Sequence, residues 1–543
     1  MTSTLPTATE TAQATSHAQR NLTSTGRLAV PPVVRLRSSP SHLTLGLLLG
    51  VIVMVQGWNI QHYPALGDDE GTYLAQAWAV QQGKGLAHYT YWYDHPPLGW
   101  IQIAFLTWIP SLVNPESMTV ASIRLSMLLP TAVSCVLLHV LARRLRLPRW
   151  AAGLAVLLFG LSPLAVALQR GIFLDNLAVM WILLAFCLAA SPSRHLWHHF
   201  GAGVSAAVSV LTKETMLVVL PALLVTMWRF SHRDTRKFAV TGAITACTLT
   251  GLSYPLFALL RGELLPGAGH VSLWDGIAYQ LTRSGSGSVF AGGTKAHHYL
   301  HSWLGYDTVL LFGGLAGAAL LLVTLRWSVT ARTFAGPALA VAILALVGIR
   351  PSGYLPAMYV IQALPFLALV LAACTASVTH AILRKGRRPA EGRPLTITRW
   401  TITLLLAASA ALYVVPRWYG GARTAMTDDA NGPYLAATQW LRDEVADRAR
   451  TRVLVDDALW LDLVHAGYKP GPGAVWFYKA DIDPAIKKTM PHGWRDIDYA
   501  VVSPLIQSEG RKFPTVNAVL KNSTPVAVFD NGDYRIEIRR TDK

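Results

Sequence analysis

VASIRLSMLLPTAVSCVLLHVLARRLRLPRWAAGLAVLLFGLSPLAVAL, residues 120–168, decides the fold. Two apolar runs flank the basic knot RRLRLPR (143–149), and each is close to the ~20 residues that a bilayer core requires. A basic knot between two spans stays on the cytoplasmic side. Working outward, apolar segments recur at 42–60, 120–142, 150–168, 174–190, 200–212, 214–230, 238–260, 305–325, 333–349, 355–378 and 399–416, which predicts about eleven spans. The stretch 97–113 is also apolar. If it crossed, RRLRLPR would land outside, so it reads as an interfacial helix.

With a cytoplasmic N-terminus, the cytoplasmic segments hold about 21 Lys/Arg against about 3 Asp/Glu, and the outer loops about 8 against about 10. RKGRRPAEGR (384–393) is the second clear cytoplasmic run. Most of the excess behind the +17 formal charge therefore orients the chain in the membrane, and nucleic acid loses its main support as a partner. Composition agrees: 52% of the 543 residues are hydrophobic and 14% charged, with mean hydropathy +0.36. A soluble chain would carry roughly 25% charged residues, which rules out a disordered chain and argues against an ordinary cytosolic enzyme. Cys135, Cys187, Cys247 and Cys374 each lie alone in an apolar run and read as small buried hydrophobes.

The predicted organisation has three parts. Residues 1–41, polar and without an apolar run, read as a disordered cytoplasmic tail with no cleavable signal peptide. Residues 42–416 form the membrane domain, with a first outer loop at 61–119 and a long outer loop at 261–304. Residues 417–543 carry balanced charge and no span, and read as a soluble extracytoplasmic α/β domain. In it RVLVD (452–456), YAVVS (499–503), PVAVF (525–529) and YRIEI (534–538) are predicted strands, and 433–448 and 457–466 predicted helices.

Ionisable groups at the edge of an apolar protein are functional candidates. GDDEGTYLAQAW (67–78) places Asp68, Asp69 and Glu70 at the start of a helix. They read either as an N-terminal cap or as a carboxylate poised by its neighbours to act as a base. YWYDHPPLGW (91–100) pairs Asp94 with His95 ahead of two prolines that force an extended entry. QRGIFLDNLAVMW (169–181) sets Arg170 and Asp175 at the outer mouth of a span, where an ion pair at a helix end is the plain alternative. LTKET (211–215) puts Lys213 and Glu214 in an outer turn. GIRPSGYLP (348–356) brings Arg350 and Tyr354 to the surface, for a phosphate or a lipid headgroup. AGGTKAHHYLHSW (291–303) is His-rich. His297 and His298 are weak metal candidates there, and structural or substrate-lining roles come first. In the C-terminal domain, Asp456, Asp457, Asp462 and His465 follow a strand and open a helix, and the first two read as turn and cap residues.

Three of these motifs occur in a telling order on one side of the membrane: a DE pair in the first outer loop, HPPLG about 25 residues later, and R-x-x-x-L-D at a span mouth. The chain resembles the polyprenyl-phosphate-dependent glycosyltransferases of the dolichyl-phosphate-mannose–protein mannosyltransferase family, over roughly residues 42–380. The aminoarabinose transferases of lipid A are more distant relatives. The resemblance implies a GT-C fold: a polytopic α-helical membrane protein, here with a C-terminal extracytoplasmic α/β domain, in the plasma membrane. It implies a sugar, mannose favoured, passed with inversion from a polyprenyl-phosphate donor to a hydroxyl of a glycan or protein. By position, Asp69 would be the base and Glu70 its neighbour. Asp175 would be the second acid with Arg170 its companion, and His95 part of the site. Lys213 and Arg350 would hold the donor phosphate. The run is DDE, so Asp68 is a second candidate for the role of Asp69. A divalent cation occurs in relatives and is not readable in this sequence. Other readings are pentosyl transfer to a cell-wall glycan and a transporter or flippase of lipid-linked sugars.

Overall fold

The computed structural model describes residues 40–113, 119–383, 393–532 and 534–543. The tail reading falls almost wholly outside them, as does RKGRRPAEGR apart from Arg393. From Leu45 onward the chain packs as one compact unit.

Every apolar segment predicted to span is helical. In chain order the helices are α1 (Pro40–Gly57), α2 (Asp68–Gln81), α3 (Leu98–Val113), α4 (Val120–Arg144), α5 (Arg149–Leu161), α6 (Pro163–Gln169), α7 (Leu174–Ala189), α8 (Leu196–Thr212), α9 (Leu220–Phe230), α10 (Arg236–Leu260), α11 (Leu273–Thr282), α12 (Lys295–Val323), α13 (Ala335–Gly348), α14 (Leu364–Leu383), α15 (Arg393–Thr427), α16 (Gly432–Glu444) and α17 (Asp457–His465). Among the described residues, five helical runs are long and apolar enough to cross a bilayer unaided, or six if α5 and α6 count as one bent span. The count is below eleven because several segments are short or broken. The segment at 214–230 opens with a 3-10 turn, Glu214–Val219, before α9, and α7 has 16 residues.

The breaks have local causes. α5 and α6 meet at 56° across Ser162–Pro163, where proline supplies no amide to continue the helix. α12 is interrupted at Asp307 (φ −154°, ψ 93°). The Asp307 carboxylate accepts from Ser162 Oγ at 2.6 Å, Trp418 Nε1 at 3.0 Å and the Leu310 amide at 2.9 Å. One buried acid thereby joins the two breaks to α15.

The C-terminal region forms a five-stranded mixed sheet in the order β2-β1-β3-β5-β4, with β1 Val453–Val455, β2 Ala474–Trp476, β3 Tyr499–Val502, β4 Ser523–Asp530 and β5 Arg535–Thr541. β1 runs parallel to β2 and β3, and β5 antiparallel to β3 and β4. The four predicted strands are present. β2 was missed because a three-residue strand carries no periodicity.

Two main cores result. One lies within the membrane helices and gathers Leu138, Phe159, Phe186, Leu310 and Phe366. The other combines the first outer loop (Leu66, Tyr73, Trp100, Ile103) with the C-terminal sheet and helices (Leu454, Trp460, Val501). The C-terminal region and the loop bearing the first acidic cluster therefore share one hydrophobic interior.

Candidate active site

The three carboxylates that open α2 have three different surroundings. Glu70 is buried and forms a two-pronged pair with Arg124, Nη2–Oε1 2.5 Å and Nε–Oε2 2.8 Å. It also accepts from the Gly67 amide at 3.1 Å and the Ile172 amide at 2.9 Å. Arg124 in turn donates to the carbonyls of Pro64 at 2.6 Å and Ala65 at 3.1 Å. Glu70, expected beside the base, is thus committed to holding the loop on the membrane helices. Asp68 is exposed and accepts from the Asp69 amide at 3.0 Å. The half-buried Asp69 carboxylate accepts no hydrogen bond among the described residues. Burial, and next to it the Asp68 charge, push its pKa up to about 6.

Lys213, His95 and Asp175 all stand close enough to act on the charge of Asp69. His95 reaches the cluster because Pro96 and Pro97 hold the chain extended ahead of α3. Its backbone amide bonds Asp94 Oδ1 at 3.0 Å. Its ring touches Glu214 Oε2 through Nδ1 at 3.0 Å and Lys213 Nζ through Nε2 at 3.1 Å. An ammonium can only donate. In this arrangement Nε2 therefore accepts, and Nδ1–H donates to Glu214. Asp175, in the first turn of α7, accepts from Gln362 Nε2 at 2.6 Å through Oδ1. The same amide nitrogen lies 2.6 Å from Thr215 Oγ1, and Asp175 Oδ2 is buried without a partner. Tyr73 packs its ring 6.2 Å from that of His95.

The Arg283 guanidinium stacks 3.5 Å from the ring centre of Tyr354. The charges of Asp68 and Asp69 both bear on Tyr354 and on Tyr299. Arg283 follows α11 in the long outer loop and was missed; LTRSGSGS shows a lone basic residue ahead of a flexible stretch and nothing that singles it out. Arg350, expected at a phosphate, is exposed.

Arg170, expected beside Asp175, donates instead to the carbonyls of Val55 at 2.7 Å and Ala425 at 3.0 Å and lies over Tyr63. It ties chain segments together and does not pair with the acid. His297 directs Nδ1 at the Val289 carbonyl, 2.9 Å away. Among the described residues no three of His, Cys, Asp or Glu converge on one point.

Residues 94–255 match the family model described as dolichyl-phosphate-mannose-protein mannosyltransferase. The structure of ArnT from Cupriavidus metallidurans bound to undecaprenyl phosphate aligns with TM-score 0.56 and 13% identity, covering 91% of this chain and 97% of that one. The apo oligosaccharyltransferase of Archaeoglobus fulgidus aligns with TM-score 0.53 and 12% identity, covering 87% and 70%. AglB from the same organism, in complex with an inhibitory peptide and a dolichol-phosphate, aligns with TM-score 0.51 and 12% identity, covering 91% and 74%. The fold is GT-C. No curated protein matches the chain significantly. The resemblance read from the motifs thus holds for a multi-pass membrane protein of GT-C architecture.

Proposed function

We propose that this GT-C protein is a glycosyltransferase that takes a sugar, mannose favoured, from a polyprenyl-phosphate carrier and delivers it to a hydroxyl acceptor at the extracytoplasmic face. The observation that carries the reading is Asp69: a half-buried carboxylate with its hydrogen-bonding capacity unspent, in reach of the charges of Lys213, His95 and Asp175. Asp69 takes the proton of the acceptor hydroxyl as that oxygen attacks the anomeric carbon. The C–O bond to the phosphate breaks on the opposite face, so the configuration inverts. The departing phosphate carries the electron pair, and we assign its stabilisation to Lys213, close to Asp69, and to Arg283, stacked on Tyr354. Gln362 holds Asp175 in a fixed rotamer with one oxygen unspent, suited to a hydroxyl of the bound sugar. The mannosyl preference rests on the family description matched by residues 94–255.

The test is donor consumption by purified protein in detergent, with water and an added alkyl glycoside as hydroxyl acceptors, polyprenyl-phosphate-mannose and polyprenyl-phosphate-arabinose in parallel, and Asp69→Asn beside the wild type. Gel filtration monitors folding. The reading expects one donor to be consumed by the wild type and not by Asp69→Asn. Consumption of the arabinose donor alone moves the sugar to a pentose. Equal rates in both proteins transfer the base role to Asp68. No consumption of either donor overturns the reading.

A further inference from the structure

The helix that carries Asp69 is gripped by the C-terminal domain. At Gly71 the backbones of α2 and α17 touch: a Cβ added there would stand 1.9 Å from the carbonyl oxygen of Asp457. Only glycine permits that approach. One residue on, Thr72 Oγ1 donates to Asp457 Oδ2 at 2.6 Å, and Tyr478 donates to the same oxygen at 2.9 Å. Asp457 is 3% exposed, and its other oxygen is buried without a partner. Burial, first among the causes, holds this carboxyl well above the ordinary carboxylate range. Burying a polar side chain is costly unless hydrogen bonds compensate it, and here only Oδ2 is compensated.

Attachment of the domain does not require it. Asn431 accepts from the Leu66 amide at 2.9 Å and donates to the carbonyls of Gln61 and Pro64. Asp462 accepts from the Val120 amide at 2.7 Å, and Tyr89 bridges to Ala474 and Trp476. The Thr72–Asp457 contact differs from these in acting on the helix of the base itself. Asp69 and Thr72 are three residues apart and so neighbours on one helix face.

We propose that Asp457 and Thr72 are positioning residues, and that the C-terminal domain sets the aim of Asp69 by fixing the roll of α2. This rests on the role given to Asp69 above. A backbone contact at Gly71 fixes the spacing of the two helices, and the Thr72 tether fixes the rotation. A roll of about 20° would carry a carboxylate about 5 Å from the helix axis by about 2 Å. A misplacement of about 1 Å can cost about 10²-fold in rate.

The test uses the full-length protein with Thr72→Val, which keeps the shape and removes the donor, and Thr72→Ser, which keeps the hydroxyl. Thr72→Val is expected to lower kcat at least tenfold with the donor KM within about twofold. Its acid limb should move to lower pH as water reaches Asp69, and Thr72→Ser should restore both. Unchanged kcat and acid limb in a folded Thr72→Val protein would overturn the proposal. Hydrogen exchange of the amides from Thr72 to Gln76 gives a readout that needs no donor. At least tenfold faster exchange in Thr72→Val, with α7 unchanged, supports the grip even if no donor is turned over and the proposed function fails. Equal exchange overturns it.

Discussion

Asp69 at the start of α2 and Asp307 within the membrane helices are both carboxylates withdrawn from solvent, and they are treated in opposite ways. Asp307 is enclosed by three donors, Ser162, Trp418 and Leu310, and both of its oxygens are used. Asp69 accepts nothing among the described residues and faces a lysine and a histidine. A satisfied buried acid holds structure, whereas an unsatisfied one whose pKa is raised by burial and by a like charge is equipped to take a proton. Glu70, adjacent in sequence to Asp69, behaves like Asp307. The distinction is therefore set by what surrounds each side chain and not by the acidic motif as a whole.

The comparison breaks most readily at Asp69. Asp69→Asn is expected to lower turnover by about 10²–10⁴-fold, with the thermal midpoint in detergent unchanged. Equal turnover would erase the contrast. Arg124→Met should do the reverse. Leaving Glu70 charged and unpaired in a buried site costs about 3–5 kcal/mol, readable as a fall in thermal stability. Asp307→Asn is expected to cost about 1–3 kcal/mol of stability, while turnover per folded molecule stays at the wild-type level. A large loss of turnover there would place Asp307 in the chemistry. Arg283→Ala should raise the donor KM about tenfold, the scale of one charge-assisted contact to phosphate; Arg350→Ala, made alongside, should leave it unchanged.

The smallest effect sharpens the comparison by pH. The base works only when ionised, so kcat/KM should fall as pH drops below about 6. Asp68→Asn removes a negative neighbour that raises the Asp69 pKa, so the limb should move to lower pH. A limb that stays in place would mean that Asp68 does not act on Asp69.

Much of this was legible in the sequence, and what was missed has a common cause. The spans showed as apolar runs, and Asp69, His95, Asp175 and Lys213 showed as polar residues out of place at their ends. The partners that separate function from structure did not show. Gln362 lies 187 residues from Asp175, and Thr72 lies 385 residues from Asp457. Arg124 sits inside an apolar run that read as plain span, so its pairing with Glu70 was invisible. For Asp456 the cap reading is what the structure has, since its side chain accepts from the Leu459 amide. The same reading was incomplete for Asp457, whose partners come from α2 and from Tyr478. Local patterns report which groups are costly to bury, and only the fold reports which of them have been compensated.

The shared interior of the first outer loop and the C-terminal region carries a consequence for synthesis. Leu66, Tyr73 and Trp100 emerge early, while Leu454, Val501 and Ile538, which cover them, come hundreds of residues later. At about 5–20 residues per second the wait is on the order of a minute. During it, the loop has an open apolar face and the helix of Asp69 lacks its partner. A chain halted before Leu454 would carry every candidate acid of the membrane domain and still lack the half of the core that seats them. Over that interval the unfinished chain exposes the apolar face that the C-terminal sheet later covers.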